Sequence, residues 1–246
     1  MPSNKLSIEQ PAVLITGAAK RIGKAIALRM AREGYTVLLH YHRSQSAAAV
    51  TAAEINQLGA ECHLLQANLA VTAEVRDLVR RALEKAPNCR HLVNSASIFE
   101  PNTLGETSED LFDRHLAINF KAPFFLTQQF AAHCTVAGSV INLLDTRIRS
   151  HSISHFAYSL SKKMLYEFTK MAAKELAPRL RVNGVCPGLI LPAEDEDDSY
   201  LARKSATIPL QHSGDVADVV DAVCFLRDSS FITGDCLFLD GGEHLG

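Results

Sequence analysis

An acid, a phenol and an amine stand close together in the second half of this chain: Asp145, then Tyr158 thirteen residues later, then Lys162 four residues on. The segment AYSLSKKMLYEFTKMAAKEL has helical periodicity, so Tyr158 and Lys162 project from one face. A phenol titrates near pKa ~10 and exchanges protons poorly at neutral pH, and a nearby ammonium favours its phenolate. Two unit charges ~4 Å apart interact by roughly 4 kcal/mol at an effective dielectric of ~20, or about three pKa units. Lys162 is therefore expected to bring the Tyr158 phenol down far enough for general acid work near neutrality. That is the proton half of a proton-coupled hydride transfer. A Tyr-x-x-x-Lys spacing also fits a plain amphipathic helix with a surface lysine, and the elements around it decide between the two.

Those elements alternate. Residues 12–16, AVLIT, form an apolar run of the buried parallel-strand kind, broken by a turn from Gly17 to Gly23 before a helical pattern to Ala31. Strands are expected at 35–40, 61–67, 91–94, 138–144, 181–186 and 235–239. Helices are expected at 45–58, 72–85, 108–133, 157–177 and 215–226, the 157–177 helix stopping at Pro178. The stretch 189–213 has no strong period and carries an unbroken acidic run at 194–198. It is expected to be a lid or substrate loop whose carboxylates form a solvated face. With no linker and no low-complexity segment, the 246 residues predict one α/β domain over 1–246.

Composition narrows the partners. A formal charge of −2 with 21% charged residues argues against nucleic acid and anionic membranes and for a small-molecule partner. The start, MPSNKLSIEQ, lacks an apolar signal core, and no apolar run approaches the ~20 residues of a membrane span, which predicts a cytoplasmic protein. Six cysteines without a CxxC pair read as reduced, mostly buried thiols, and ten histidines form no HExxH, so no metal is expected.

A strand, a glycine turn and a helix present backbone N–H groups and a helix N-terminus to a pyrophosphate, and here they form the first βα junction. The next strand ends in Tyr41-His42-Arg43-Ser44, where an NAD-selective site would carry an acid for the ribose hydroxyls. None is there. The Arg43 fork and the Ser44 hydroxyl suit a 2′-phosphate, with His42 as a neighbour, which favours NADPH; a solvated arginine is the plainer alternative for Arg43. Asn68-Leu69 and Asn94-Ser95-Ala96-Ser97 fall at carboxyl ends of strands, where ligands bind in open parallel sheets. Phe99 follows, as ordinary packing or as a stacking platform for a flat heterocycle. Asn119 is a polar residue in the apolar stretch 117–126 and needs buried partners. Pro187-Gly188 opens the loop that continues with Leu189.

Gly17 to Gly23, Asn94 to Ser97, Asn119, Tyr158-x-x-x-Lys162 and Pro187-Gly188, in that order, resemble the short-chain dehydrogenase/reductase family over essentially the whole chain. TGAAKRIG with Arg21 in place of the middle glycine, HYHRS at 40–44, Ser97 with Phe99, and Asp145 in place of the serine that usually precedes the tyrosine by thirteen residues resemble its pteridine reductase and dihydromonapterin reductase branch. The LILP sequence before the acidic run and the DGGEHLG tail resemble the bacterial dihydromonapterin reductases. The chain departs from the family in NSAS for the usual NNAG and in Asn68 for the adenine-side aspartate.

The resemblance implies a Rossmann-like, doubly wound parallel sheet of about seven strands with helices on both faces, and a homotetramer. It implies NADPH held by Gly17, Arg21, Ile22, Gly23, His42, Arg43, Ser44, Asn68, Leu69, Asn94, Ala96, Ser97, Tyr158, Lys162, Pro187, Gly188 and Leu189. Catalytic residues would be Asp145, Tyr158, Lys162 and Asn119, and a pterin would meet Arg21, Ser97, Phe99, Asp145 and Tyr158. The implied reaction reduces a dihydropterin of the dihydromonapterin or dihydrobiopterin type, or dihydrofolate, to the tetrahydropterin. An NADPH-dependent carbonyl reductase of the 3-oxoacyl type is the enzymatic alternative, and a non-catalytic NADPH-binding regulator the alternative outside catalysis.

Overall fold

Seven short apolar runs pair into one parallel sheet in the order β3-β2-β1-β4-β5-β6-β7. The strands are β1 (Ala12–Ile15), β2 (Thr36–Tyr41), β3 (Cys62–Gln66), β4 (Cys89–Asn94), β5 (Gly138–Leu143), β6 (Leu180–Pro187) and β7 (Cys236–Leu239). The computed structural model describes residues 10–151, 153–192 and 198–245. β1 and β2 are buried at every position, as strands covered on both faces must be.

Helices α1 (Arg21–Arg32), α2 (Gln45–Gln57) and α8 (Val216–Asp228) cover one face. Ile26, Met30, Ile55, Val219 and Val223 from these helices pack on Val13, Ile15, Val37 and Leu39. The other face carries α3 (Thr72–Lys85), α5 (Ala122–His133) and α6 (Phe156–Leu176), which bring Leu78, Leu126, Phe130 and Ala172 against Leu14, Leu38, Leu92 and Val140. The strand order reverses between β1 and β4, and ligands bind at the carboxyl ends of the strands flanking such a point.

Two local departures matter for function. The helical stretch expected over 108–133 is three pieces: α4 (Glu109–Leu116), a π-helical turn Ala117–Lys121 and α5. The wide turn carries the buried Asn119, whose side chain bonds outside the helix. The stretch expected to lack structure contains a helix, α7 (Asp198–Ser205), too short and polar to show a period. Residues 194–197 of the acidic run, and residues 1–9, lie outside the described residues. Among the described residues no helix is long and apolar enough to cross a membrane, and no cluster of His, Cys, Asp and Glu is arranged to hold a metal.

Candidate active site

Two adjoining cavities open at the switch point, sharing Arg21, Ile22, Ser95 and Ser97. The first, about 400 Å³, is lined among others by Phe99, Asp145, Arg147, Tyr158, Lys162 and Gly188 to Pro192. The second, about 380 Å³, is lined by the Gly17–Gly23 turn, His42, Asn68, Leu69, Ala96 and Ser97.

The second cavity fits a dinucleotide on its own geometry. Gly17 has φ +66°, and a Cβ at Gly23 would come within 2.4 Å of the Gly17 carbonyl oxygen, so only glycine permits this approach of loop and helix. Helix α1 starts beside it with no side-chain cap and no acid in its first turn, which leaves its first N–H groups available to an anion. The turn is held from behind by His40, a buried residue that spacing did not single out. Its Nδ1 accepts from the Gly17 N–H at 3.1 Å, so its protonated Nε2 donates to the Ala67 carbonyl at 3.1 Å. Burial pushes this imidazole down to about 4, which keeps the accepting nitrogen free of a proton. Thr16 ties the same corner to β4, its hydroxyl oxygen accepting from the N–H groups of Ser95 and Ala96 at 3.0 and 3.1 Å.

Other expected cofactor residues stand around this cavity in different ways. Arg43 is exposed and Ser44 half-buried just beyond β2; neither lines a cavity wall, and Arg43 makes no ion pair among the described residues. Asn94 is buried and donates to Asn142 Oδ1 at 2.8 Å, beneath the cavity rather than in its wall.

In the first cavity β5 delivers Asp145 and α6 delivers Tyr158. The Tyr158 hydroxyl donates to Asp145 Oδ2 at 2.7 Å, while Oδ1 accepts from the Arg147 N–H at 2.7 Å and so caps a 3-10 turn, Thr146–Ile148. Lys162 Nζ donates to the Leu143 carbonyl at 2.7 Å and lies 5.7 Å from the Tyr158 ring centre. Burial pushes the Asp145 carboxyl above its ordinary value and brings the Lys162 ammonium down to about 8, against the opposing pull of Asp145.

The expectation that Lys162 lowers the Tyr158 phenol is corrected. Burial first, and then the adjacent Asp145 charge, hold the phenol well above its ordinary 10.0. The carboxylate touches the hydroxyl while the ammonium is turned to a backbone carbonyl, so the nearer charge dominates. Tyr158 is a protonated donor here, hydrogen-bonded to Asp145, whose own carboxyl is pushed up by burial.

Asn119, expected among the catalytic residues, is fully buried and lines neither cavity. Its Oδ1 accepts from the Ile98 N–H at 2.9 Å and the Ser97 hydroxyl at 3.1 Å, and its Nδ2 donates to the Ile98 carbonyl at 3.0 Å and Ser161 Oγ at 3.2 Å. It positions the 97–98 loop against α6. Phe99, 42% exposed, stacks on His155 with centroids 4.0 Å apart and meets Tyr158 edge-on at 4.7 Å. The Arg147 guanidinium lies 5.0 Å from the Phe99 ring centre and donates to His155 Nδ1 at 3.0 Å. Arg147 and Glu243, which line the cavity, and His155, which stacks on Phe99, are thus residues that sequence spacing missed, since each comes from a loop or chain end with no motif.

A strand-end acid, a helix-borne Tyr-x-x-x-Lys pair and a glycine turn at a switch point define a nucleotide-dependent oxidoreductase. The chain belongs to the short-chain dehydrogenase/reductase family: residues 17–244 match the family profile described as enoyl-(acyl carrier protein) reductase. It is 32% identical to pteridine reductase 1 of Leishmania tarentolae, covering 96% of each chain. It is 31% identical to the 3-oxoacyl-[acyl-carrier-protein] reductase FabG of Staphylococcus epidermidis, covering 94% of this chain and 98% of that one. The structure of FolM alternative dihydrofolate reductase 1 from Brucella canis, complexed with NADP, superposes with a TM-score of 0.92 at 35% identity, covering 97% of this chain and 96% of the other. The pteridine reductase and FolM likenesses support the pteridine reductase branch.

Proposed function

We propose that this protein reduces a dihydropterin to the tetrahydropterin with NADPH. The observation that carries the proposal is the 2.7 Å hydrogen bond between Tyr158 and Asp145 at the cavity wall. A carboxylate only accepts, so it suits the ring and amino N–H groups of an aminopyrimidine, whereas polarising a ketone oxygen calls for a second donor beside the tyrosine. NADPH supplies the hydride when bound, and the NADP complexes of the two FolM neighbours support that cofactor.

The chain's own residues supply the rest. The glycine turn and the first N–H groups of α1 would receive the pyrophosphate, and the exposed Arg43 just beyond β2 would supply a fork to the 2′-phosphate. Lys162, buried and fixed on Leu143, would hold a positive charge for the ribose and nicotinamide end of the cofactor. Phe99, stiffened by His155, offers the flat surface against which a pterin packs. Tyr158 gives its proton to the ring nitrogen next to the carbon that is reduced, and a proton from water, taken up through Asp145, whose carboxyl is pushed up by burial, restores the Tyr158 phenol. Exposed Leu160, Met164 and Met171 on one side of α6 support assembly of copies through that helix, in line with a homotetramer.

The likeness to FabG favours a second assignment, reduction of a 3-oxoacyl thioester. Following NADPH oxidation separately with a 7,8-dihydropterin, dihydrofolate and an acetoacetyl thioester distinguishes the two. We expect kcat/KM for a dihydropterin to exceed that for the thioester by a hundredfold or more, about 2.7 kcal/mol of transition-state discrimination. The reverse order reinstates the carbonyl reductase.

A further inference from the structure

Glu243 enters the substrate cavity from the far end of the chain, in the 3-10 turn Glu243–Leu245, and shares a wall with Lys204, Thr207 and Ile208. Its placement is fixed from both sides. Gly241 and Gly242 turn with φ of +61° and +90°, and a Cβ at Gly241 would come 2.7 Å from Ile208, so the turn lies tight against the 208–210 segment. The buried Asp240 carboxylate then accepts from the Gly242 N–H at 3.0 Å, the His244 N–H at 2.9 Å and the His244 ring at 2.8 Å. The same carboxylate accepts from the Thr146 hydroxyl at 2.5 Å, and Thr146 is the neighbour of Asp145. One buried acid thus locks the turn that carries Glu243 to the turn that carries the proton-relay acid.

The Glu243 carboxylate itself serves no such purpose. The residue keeps solvent access while its carboxyl stands in the cavity wall, and among the described residues no hydrogen bond or ion pair ends on its side chain. Burial and the charges of Asp145 and Asp240 push its carboxyl up, the state of an acid whose acceptor oxygens are unused. A reducible ring has to lie against Asp145 and Tyr158, so Glu243 and the 204–208 wall meet whatever the ring carries.

Resting on the dihydropterin assignment above, we propose that Glu243 is the specificity residue of the cavity, accepting hydrogen bonds from hydroxyl groups on the side chain of the pterin. A carboxylate offers two oxygens to neighbouring hydroxyls, as a charge-assisted acceptor.

The test compares a 7,8-dihydropterin bearing a trihydroxypropyl side chain with 6-methyl-7,8-dihydropterin, using wild type, Glu243→Ala and Glu243→Gln with NADPH. In Glu243→Ala the ratio of kcat/KM between the hydroxylated and methyl substrates falls by roughly tenfold or more, carried by KM, as expected for a lost hydrogen bond to a charged group. Glu243→Gln, whose amide oxygen still accepts, recovers part of that ratio. A fall smaller than about fivefold overturns the inference while dihydropterin reduction stands. Failure of wild type to reduce either dihydropterin removes the assignment, and the inference with it.

Discussion

Asp145→Ser removes the carboxylate on which the dihydropterin assignment rests, and its effect can be worked from the geometry. A serine hydroxyl oxygen takes the place of the aspartate Cγ, so it ends about one C=O length, ~1.2 Å, short of Oδ2. With a carboxylate acceptor angle of about 120°, the 2.7 Å contact to Tyr158 then opens toward about 3.5 Å, the outer edge of hydrogen-bond reach. Losing a hydrogen bond to a charged group costs about 1.5 to 3 kcal/mol, roughly ten- to a hundredfold. Losing a positioned proton carrier costs about 10² or more. Because one carboxylate serves both tasks the factors overlap, and we expect kcat/KM for a dihydropterin to fall by several hundredfold or more. The fold is preserved, since serine also caps the Arg147 N–H and the neighbouring Thr146–Asp240 bond is untouched. Steady-state NADPH oxidation measures the loss, with NADPH affinity as the control for integrity. A serine variant that reduces dihydropterin within about threefold of wild type, a difference under 1 kcal/mol, would refute the relay and recognition roles together.

Tyr158→Phe keeps the ring against Phe99 and deletes the proton donor, so kcat should fall by about 10² or more while the NADPH dissociation constant moves little; activity within about threefold of wild type excludes Tyr158 as the donor. Arg43→Ala should raise the KM for NADPH by roughly ten- to a hundredfold and leave that for NADH nearly alone, and equal effects would separate Arg43 from the 2′-phosphate. His40 titrates near 6.5 when unfolded and near 4 when folded, so the unfolded chain binds more protons between these values and stability is lost as pH falls through that window. The loss from this residue is about 3 kcal/mol, read by urea denaturation; a pH slope in His40→Asn as steep as in wild type would contradict it.

What was legible in the sequence was what neighbours in the chain decide. Apolar runs placed all seven strands, and helical spacing put Tyr158 and Lys162 on one face because a helix sets that relation locally. Asp145 was legible because a strand end has a known place in an open sheet. The direction of the Tyr158 shift was not, since it turns on the burial of the phenol, on its contact with Asp145 and on Lys162 folding back to Leu143, none of which is written in the spacing. His40 looked like one more strand residue until the Gly17 turn, 23 positions away, was folded onto it. Glu243 joins Asp145 only after β7 has been added to the sheet edge, so no local pattern connects them.

The central claim is that this cavity selects a pterin ring over an acyl ketone, and competition within one solution measures that directly. The purified chain is given NADPH with equal concentrations of a 7,8-dihydropterin and an acetoacetyl thioester, and both reduced products are quantified at low conversion, where their ratio equals the ratio of kcat/KM values. The account predicts tetrahydropterin in excess by about a hundredfold or more. An excess of the 3-hydroxyacyl thioester would contradict it.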